Sequence, residues 1–173
     1  MLLDRDGTLI RDTGHPHRPA DYHPLPGVAP ALRRLVGAGF RLAIVTNQSG
    51  IGRGWFDWPT YERFHARILA DLAEAGVTID ATFVCPHAPD AGCACRKPAP
   101  GLLLRARDAL GADLEASWMI GDTERDVGAA RSAGCFGVVR VGVADPVAST
   151  DPFALEARDL AEAVEAILGY GTP

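Results

Sequence analysis

Short apolar runs alternate with amphipathic segments along the chain, and this alternation constrains the fold more than any other feature. The apolar runs predict β-strands at residues 1–3, 41–46, 81–84, 117–120 and 137–141. Apolar residues at helical spacing, with Gly or Pro near the ends, predict helices at residues 27–39, 57–75, 98–110, 123–133 and 160–168. Alternating strands and helices predict an α/β fold, a parallel sheet with helices on both faces.

The length and net charge of the chain limit its possible domain organisation and partners. The chain has 173 residues, which fits one domain spanning 1–173, and its 47% apolar residues are enough for a sizeable core. A net charge of −5 argues against nucleic acid as a partner. The sequence contains no apolar run long enough for a transmembrane helix and shows no signal peptide at its start, so we expect a cytoplasmic protein without membrane partners. We also expect a monomer.

Two carboxylates follow the first predicted strand, in the segment Asp4-Arg5-Asp6-Gly7-Thr8. Residues i and i+2 of an extended strand point the same way, so Asp4 and Asp6 would face one site. Like charges this close repel each other, and a divalent cation such as Mg²⁺ relieves the repulsion through hard oxygen ligands. A solvated turn with two exposed acids explains the same residues, so this segment alone leaves both interpretations open.

Further polar segments follow later strands. Thr46-Asn47-Gln48-Ser49-Gly50 offers a hydroxyl and backbone N–H groups that can hold phosphate oxygens, although an ordinary polar turn is the simpler interpretation. Lys97 is the one lysine beside sixteen arginines, and it can neutralise charge on a phosphoryl group in transfer. Asp122 can complete a metal site, and Asp126 either supports that site or lies in the first turn of a helix. In a parallel sheet these strand ends meet at one edge.

Three of the four cysteines lie close together. Cys85, His87, Cys93 and Cys95 form a Cys-x-His and a Cys-x-Cys pair, a Cys₃His set typical of structural zinc, within a loop at 85–97. A disulfide or two reduced cysteine pairs are the alternatives. Zinc would stiffen this segment and direct Arg96 and Lys97 toward the site.

The ordered segments Asp4-x-Asp6-Gly-Thr, Thr46-Asn47, Lys97 and Gly121-Asp122-x-x-x-Asp126 resemble the motifs of haloacid dehalogenase superfamily phosphatases. The resemblance implies a Rossmann-like, doubly wound sheet. It implies that Asp4 is the nucleophile that forms an aspartyl-phosphate, that Asp6 is the general acid and base, and that Thr46 and Lys97 are catalytic. It also implies Mg²⁺ bound by Asp4, Asp6 (through its backbone carbonyl) and Asp122.

The zinc loop resembles a smaller branch of that superfamily, which contains heptose 1,7-bisphosphate phosphatases and histidinol-phosphate phosphatases. The segments at 47–54 and 97–101 are more similar to the heptose enzymes, and this implies a small phosphorylated sugar as substrate. The residues expected to bind it are Asp12, His15, Asn47, Gln48, Ser49, Arg53, Arg96 and Thr123. His15 departs from the Tyr expected there. No insertion of cap size separates the motifs, so we expect an open site without a large cap domain.

Two alternatives stay open at this point. Histidinol phosphate would use the same chemistry, although Arg53 and Arg96 favour a second phosphate over an ammonium group. A phospho-accepting receiver domain also combines acids, a Thr and a Lys on a doubly wound sheet. Its phosphorylated Asp follows a middle strand of the sequence, however, whereas the paired acids here follow the first.

Overall fold

Residues 1–146 and 151–170 are described by this computed structural model, and within them six strands form one sheet. The strands are β1 (Leu2–Leu3), β2 (Ala43–Asn47), β3 (Ala81–Cys85), β4 (Trp118–Gly121), β5 (Gly137–Arg140) and β6 (Ala154–Glu156). All neighbours pair in parallel, in the order β3-β2-β1-β4-β5-β6. The strand order reverses between β1 and β4, which is where such sheets leave a crevice for ligands.

Six α-helices connect the strands or follow them in the described part of the chain. They are α1 (Val28–Gly37), α2 (Ser49–Gly52), α3 (Trp58–Glu74), α4 (Gly101–Leu110), α5 (Glu124–Ala133) and α6 (Leu160–Gly169). The expected α/β fold with a parallel sheet is confirmed. No insertion of cap size interrupts residues 1–146, and no helix among the described residues is long and apolar enough to cross a bilayer.

The helices cover both faces of the sheet, as the sequence predicts. Side chains of successive strand residues alternate between the faces, so Leu3 and Leu2 enter different cores. Leu3, Ile44 and Ile120 pack with apolar residues of α1, α3 and α6. Leu2, Val45 and Met119 pack with residues of α4 and α5 on the other face. Strands buried on both sides explain the continuous apolar runs of the sequence.

Helix ends follow from local chemistry in several places. The Asp57 side chain accepts a hydrogen bond from the Thr60 backbone N–H and caps α3, with Pro in its first turn as predicted. Helix α5 ends at Gly134, which adopts a left-handed conformation. Asp126 lies in the first turn of α5 and accepts from the Thr123 backbone N–H and hydroxyl, so the start of this helix is tied to the site.

Two predictions of secondary structure need correction. The helix predicted from residue 98 begins at Gly101, because residues 96–99 form a turn closed by the Ala99 N–H and the Arg96 carbonyl at 2.8 Å. Neither the edge strand β6 nor the single turn of α2 was predicted. Both are short: β6 has three residues that are half-buried, and α2 has four. Neither segment is long enough to show a period.

Candidate active site

The carboxyl ends of β1, β2 and β4 surround an open cavity of about 610 Å³. Its floor and walls include the predicted catalytic and magnesium-binding residues Asp4, Asp6, Thr46, Lys97 and Asp122. The same cavity includes seven of the eight residues expected to bind substrate: Asp12, His15, Asn47, Ser49, Arg53, Arg96 and Thr123. The fold therefore brings together residues that are far apart in the sequence.

Asp4 lies at the end of the central strand β1. Its backbone N–H donates to the Ile120 carbonyl at 2.9 Å, which continues the pairing of β1 with β4. Its Oδ1 accepts from the Arg5 backbone N–H at 2.7 Å and lies 2.8 Å from Lys97 Nζ. Burial raises the pKa of the Asp4 carboxyl to about 7, although the nearby Lys97 ammonium opposes this increase.

Lys97 connects the carboxylates of Asp4 and Asp126. Its Nζ lies 2.8 Å from Asp4 Oδ1 and 2.6 Å from Asp126 Oδ1, and it donates to the Val45 carbonyl at 2.8 Å. Burial would lower the pKa of Lys97, but the two carboxylates outweigh it and raise that pKa, so the ammonium stays charged. Asn47 holds the Lys97 backbone from both sides, with its amide bonded to the N–H and the carbonyl at 3.1 Å each.

Asp122 faces the site beside Asp4. Side-chain oxygens of Asp4, Asp122 and Asp126 lie within 4.8 Å of one another. Burial raises the pKa of Asp122 to about 6, and the charge of Asp126 adds to this effect. Asp122 Oδ1 is buried and has no hydrogen-bond partner among the described residues. An unpartnered carboxylate oxygen among other hard oxygen donors fits a magnesium ion.

Gly7 allows the close approach of Asp122. It has φ +81°, and a Cβ at this position would lie 2.1 Å from Asp122 Oδ2. A side chain at residue 7 would therefore occupy the space of a candidate metal ligand.

The four candidate zinc ligands also lie close together. Cys85, His87, Cys93 and Cys95 offer ligand atoms within 4.8 Å of one another. The Sγ of Cys95 lies 3.3 Å from that of Cys85 and 3.5 Å from that of Cys93, and the Cys85–Cys93 separation is 3.7 Å. Ligands at the corners of a tetrahedron around zinc are about 3.5–3.8 Å apart, so this donor set fits the ion. All four cysteines are free, and three of them belong to this cluster.

The zinc loop packs against two turns next to the site. The Gly52 N–H donates to the Pro86 carbonyl at 2.8 Å, and the Gly101 N–H donates to the Ala94 carbonyl at 3.1 Å. Cys85 ends β3, and its carbonyl accepts from the Gln48 N–H at 2.7 Å. The loop leads directly into Arg96 and Lys97, so its shape fixes where both cations enter the cavity.

Comparison with known proteins gives the family. The model of the haloacid dehalogenase-like hydrolases matches residues 16–134. The D-glycero-β-D-manno-heptose-1,7-bisphosphate 7-phosphatase of Pseudomonas aeruginosa is 41% identical over 136 residues, covering 78% of this chain and 76% of the relative. The chain belongs to the haloacid dehalogenase-like hydrolases.

Other members of this hydrolase family are similar over more of the chain. The enzyme of the same name from Escherichia coli K12 is 40% identical over 154 residues, covering 85% of this chain and 81% of the relative. The crystal structure of the D,D-heptose 1,7-bisphosphate phosphatase of B. bronchiseptica, complexed with magnesium and phosphate, superposes with a TM-score of 0.88 at 35% identity. The superposition covers 99% of this chain and 98% of the B. bronchiseptica chain. The prediction of a phosphoric monoester hydrolase is confirmed, and the receiver-domain alternative has no support.

One site residue of this hydrolase differs from its sequence-based prediction, and two further residues carry no such prediction. Gln48 was expected to contact substrate, but it is 1% exposed and its amide is engaged inside the protein. Its Nε2 donates to Asp6 Oδ2 and to the Thr46 hydroxyl, both at 2.9 Å, and its Oε1 accepts from Arg5 at 3.0 Å. Arg5 was not singled out at all, although it is fully buried. Arg125 also lines the cavity and was missed, since an Arg in a helix usually lies in solvent.

The cavity rim carries an aromatic cluster around His15. The ring of His15 meets the edge of Trp55 with the centroids 4.8 Å apart, and the Arg53 guanidinium lies 4.9 Å from the Trp55 ring. His15 has a positive φ of 63°. Burial lowers the pKa of His15, and the charges of Arg53 and Arg96 also lower it, so the neutral imidazole is favoured.

Proposed function

We propose that this chain is a magnesium-dependent phosphatase that removes the 7-phosphate of D-glycero-D-manno-heptose 1,7-bisphosphate. The observation that supports this most is the Asp4 carboxylate, which lies 2.8 Å from the buried Lys97 ammonium in a cavity that also includes Arg53 and Arg96. The relatives named 7-phosphatases support the substrate at about 40% identity.

The first chemical step is attack by Asp4 on phosphorus. An Asp4 oxygen forms a bond to phosphorus while the bond from phosphorus to the sugar oxygen breaks, giving an aspartyl-phosphate. Lys97 and the Thr46 hydroxyl would hold oxygens of the phosphoryl group, where negative charge has to be stabilised. Magnesium, held by Asp4, the Asp6 carbonyl and Asp122, supplies further positive charge at these oxygens when bound.

Asp6 would move the protons in both steps. It gives a proton to the departing sugar oxygen, and it then takes one from the water that hydrolyses the aspartyl-phosphate. The Asp6 side chain lies at the cavity wall and is 15% exposed, so it is accessible to both groups.

Arginines in the cavity favour a bisphosphate over histidinol phosphate. Arg53 and Arg96 present guanidinium groups that match phosphate geometry and would repel an ammonium group. The Arg96 Nη1 atom is buried without a hydrogen-bond partner among the described residues, as a site for an anionic group requires. Asp12, His15, Asn47, Ser49 and Thr123 also line this cavity and would complete the sugar site.

A structural zinc ion at Cys85, His87, Cys93 and Cys95 belongs to the proposal. All four ligands come from the protein, which leaves no open position for catalysis. The ion would therefore act on the reaction only through the shape of the loop that carries Arg96 and Lys97. We also propose a cytoplasmic monomer, and size-exclusion chromatography with light scattering tests the oligomeric state.

A side-by-side assay tests the substrate. Phosphate release is measured with Mg²⁺ from heptose 1,7-bisphosphate and from histidinol phosphate. A higher kcat/KM for the bisphosphate, with heptose 1-phosphate as product, is expected, and Arg96→Met should reduce that preference. Faster release from histidinol phosphate would keep the chemistry and contradict the proposed substrate.

A further inference from the structure

Arg5 is a buried cation directly beside Asp6. Its side chain is fully buried, and its fork binds both oxygens of Asp6, with Nε 2.7 Å from Oδ1 and Nη2 3.0 Å from Oδ2. The same Nη2 lies 3.0 Å from Gln48 Oε1 and 3.2 Å from the Pro16 carbonyl. Arg5 thus joins Asp6, the end of β2 and the loop that carries His15.

Two aromatic rings of α3 close the other side of Arg5. The guanidinium carbon lies 5.5 Å from the ring centre of Tyr61 and 5.3 Å from that of Phe64. Aromatic faces attract cations, most strongly where water is excluded. These rings and the hydrogen bonds fix the plane of the guanidinium, and a fixed fork fixes the plane of the carboxylate it binds.

The hydrogen bonds distinguish the two oxygens of Asp6. A carboxylate offers about two acceptor positions on each oxygen. Oδ2 accepts from both Arg5 Nη2 and Gln48 Nε2, so its positions are filled, whereas Oδ1 accepts from Arg5 Nε alone. Oδ1 is therefore the oxygen that keeps a free position while the carboxylate is held in this plane.

We propose that Arg5 is a positioning residue that makes Oδ1 of Asp6 the atom that exchanges the proton. The proposal rests on the aspartyl-phosphate chemistry above and not on the heptose substrate. In the first step the Oδ1 proton passes to the ester oxygen as the bond from phosphorus to that oxygen breaks. In the second step Oδ1 takes a proton from the attacking water. Without Arg5 only the Gln48 Nε2 bond to Oδ2 still holds the carboxyl group, so its plane is no longer fixed and this proton transfer becomes slow.

The test measures how strongly the first turnover depends on the leaving group. Leaving-group release is followed with enzyme in excess and with Mg²⁺, for aryl phosphates from p-nitrophenyl to phenyl phosphate and for an alkyl phosphate. Arg5→Met should slow the alkyl ester by about 10²-fold, whereas p-nitrophenyl phosphate, whose leaving group needs no proton, stays within a few-fold of wild type. The rates of the variant should therefore fall more steeply with leaving-group pKa.

A matched control is available at Arg41. Its Nε lies 3.1 Å from Asp80 and its Nη1 3.0 Å from the Leu110 carbonyl, so it also binds a carboxylate and a main-chain carbonyl, but at an exposed position away from the cavity. Arg41→Met should leave the leaving-group dependence unchanged. If Arg5→Met does not fold, as judged by its melting curve, Arg5→Lys provides the same comparison, since it keeps the charge but not the fork.

Two outcomes would overturn the role of Arg5. Equal slowing of all esters would mean that Arg5 supports the fold or Asp4, and unchanged rates would mean that Asp6 needs no such support. Failure of the underlying chemistry would look different, because the wild-type enzyme itself would then either release no leaving group or release it without phosphorylation of Asp4.

Discussion

Removal of the Lys97 ammonium is the perturbation with the largest consequence for the buried site. Lys97→Met keeps most of the side-chain volume but leaves Asp4 and Asp126 without the cation that lies 2.8 and 2.6 Å away. Removing one partner of a buried ion pair typically costs about 3–5 kcal/mol. We expect the free energy of unfolding to fall by up to about that amount in metal-free protein at pH 8, while phosphatase activity is lost.

The pH dependence of this loss has a definite sign. Asp4 has a pKa of about 7 with Lys97 present, and the variant raises that pKa further because an attractive charge is gone. The difference in free energy of unfolding between wild type and variant has its full value above the pKa of Asp4 in the variant. This difference decreases as the pH falls toward 7. The decrease is about 1.4 kcal/mol per pH unit within this window, because only the variant takes up the proton there.

The loss in free energy of unfolding and its pH dependence are measured by urea unfolding of four metal-free proteins: wild type, Lys97→Met, Asp126→Asn and the double variant. Asp126→Asn added to Lys97→Met should recover at least about 1 kcal/mol, because it removes one of the two unpaired carboxylates. A loss within about 1 kcal/mol for Lys97→Met at pH 8, with no dependence on pH, would refute the reasoning.

Two further predictions concern the metals. Gly7→Ala should raise the magnesium concentration for half-maximal activity by at least about tenfold, because its Cβ would lie 2.1 Å from Asp122 Oδ2. Gly39→Ala is the control, since Gly39 has φ +89° but no neighbouring atom within 4 Å, and an unchanged magnesium requirement in Gly7→Ala would contradict the assignment of Asp122. Chelation of zinc should lower both the melting temperature and the activity, since free zinc at a thousand times its Kd stabilises a folded protein by about 4 kcal/mol. A melting curve and activity unaffected by verified zinc loss would contradict the structural role. Cys135→Ala, a change at a buried cysteine outside the loop, should respond to the chelator as the wild type does.

Much of the site was predictable because the chemistry follows strand ends. Asp4, Thr46 and Asp122 each come after an apolar run, and parallel strands bring such positions to one edge. The four candidate zinc ligands were predictable from spacing alone, and the structure brings all four together. These signals are local in the sequence, so they can be recognised without knowledge of the strand order.

The environment of Arg5 was not predictable in this way. Between two aspartates in a sequence, an arginine has the appearance of a solvated counterion. Only the tertiary structure brings Tyr61 and Phe64 over it and encloses it with Gln48. The aromatic spacing of three residues in the predicted helix was visible, but nothing in the sequence says that this face of α3 covers residue 5. Gln48 was misjudged for the same reason, since a polar turn residue beside a phosphate site is normally expected to face the ligand.

The most direct test of the central claim is to find the phosphoryl group on Asp4. The enzyme is mixed with substrate and Mg²⁺, quenched in acid within the first turnovers, digested and analysed by mass spectrometry. The account predicts that the peptide containing Asp4 gains the mass of one phosphoryl group, and that Asp4→Asn gains none and releases no phosphate. Rapid phosphate release from the wild type with no modified peptide, or activity that persists in Asp4→Asn, would contradict it.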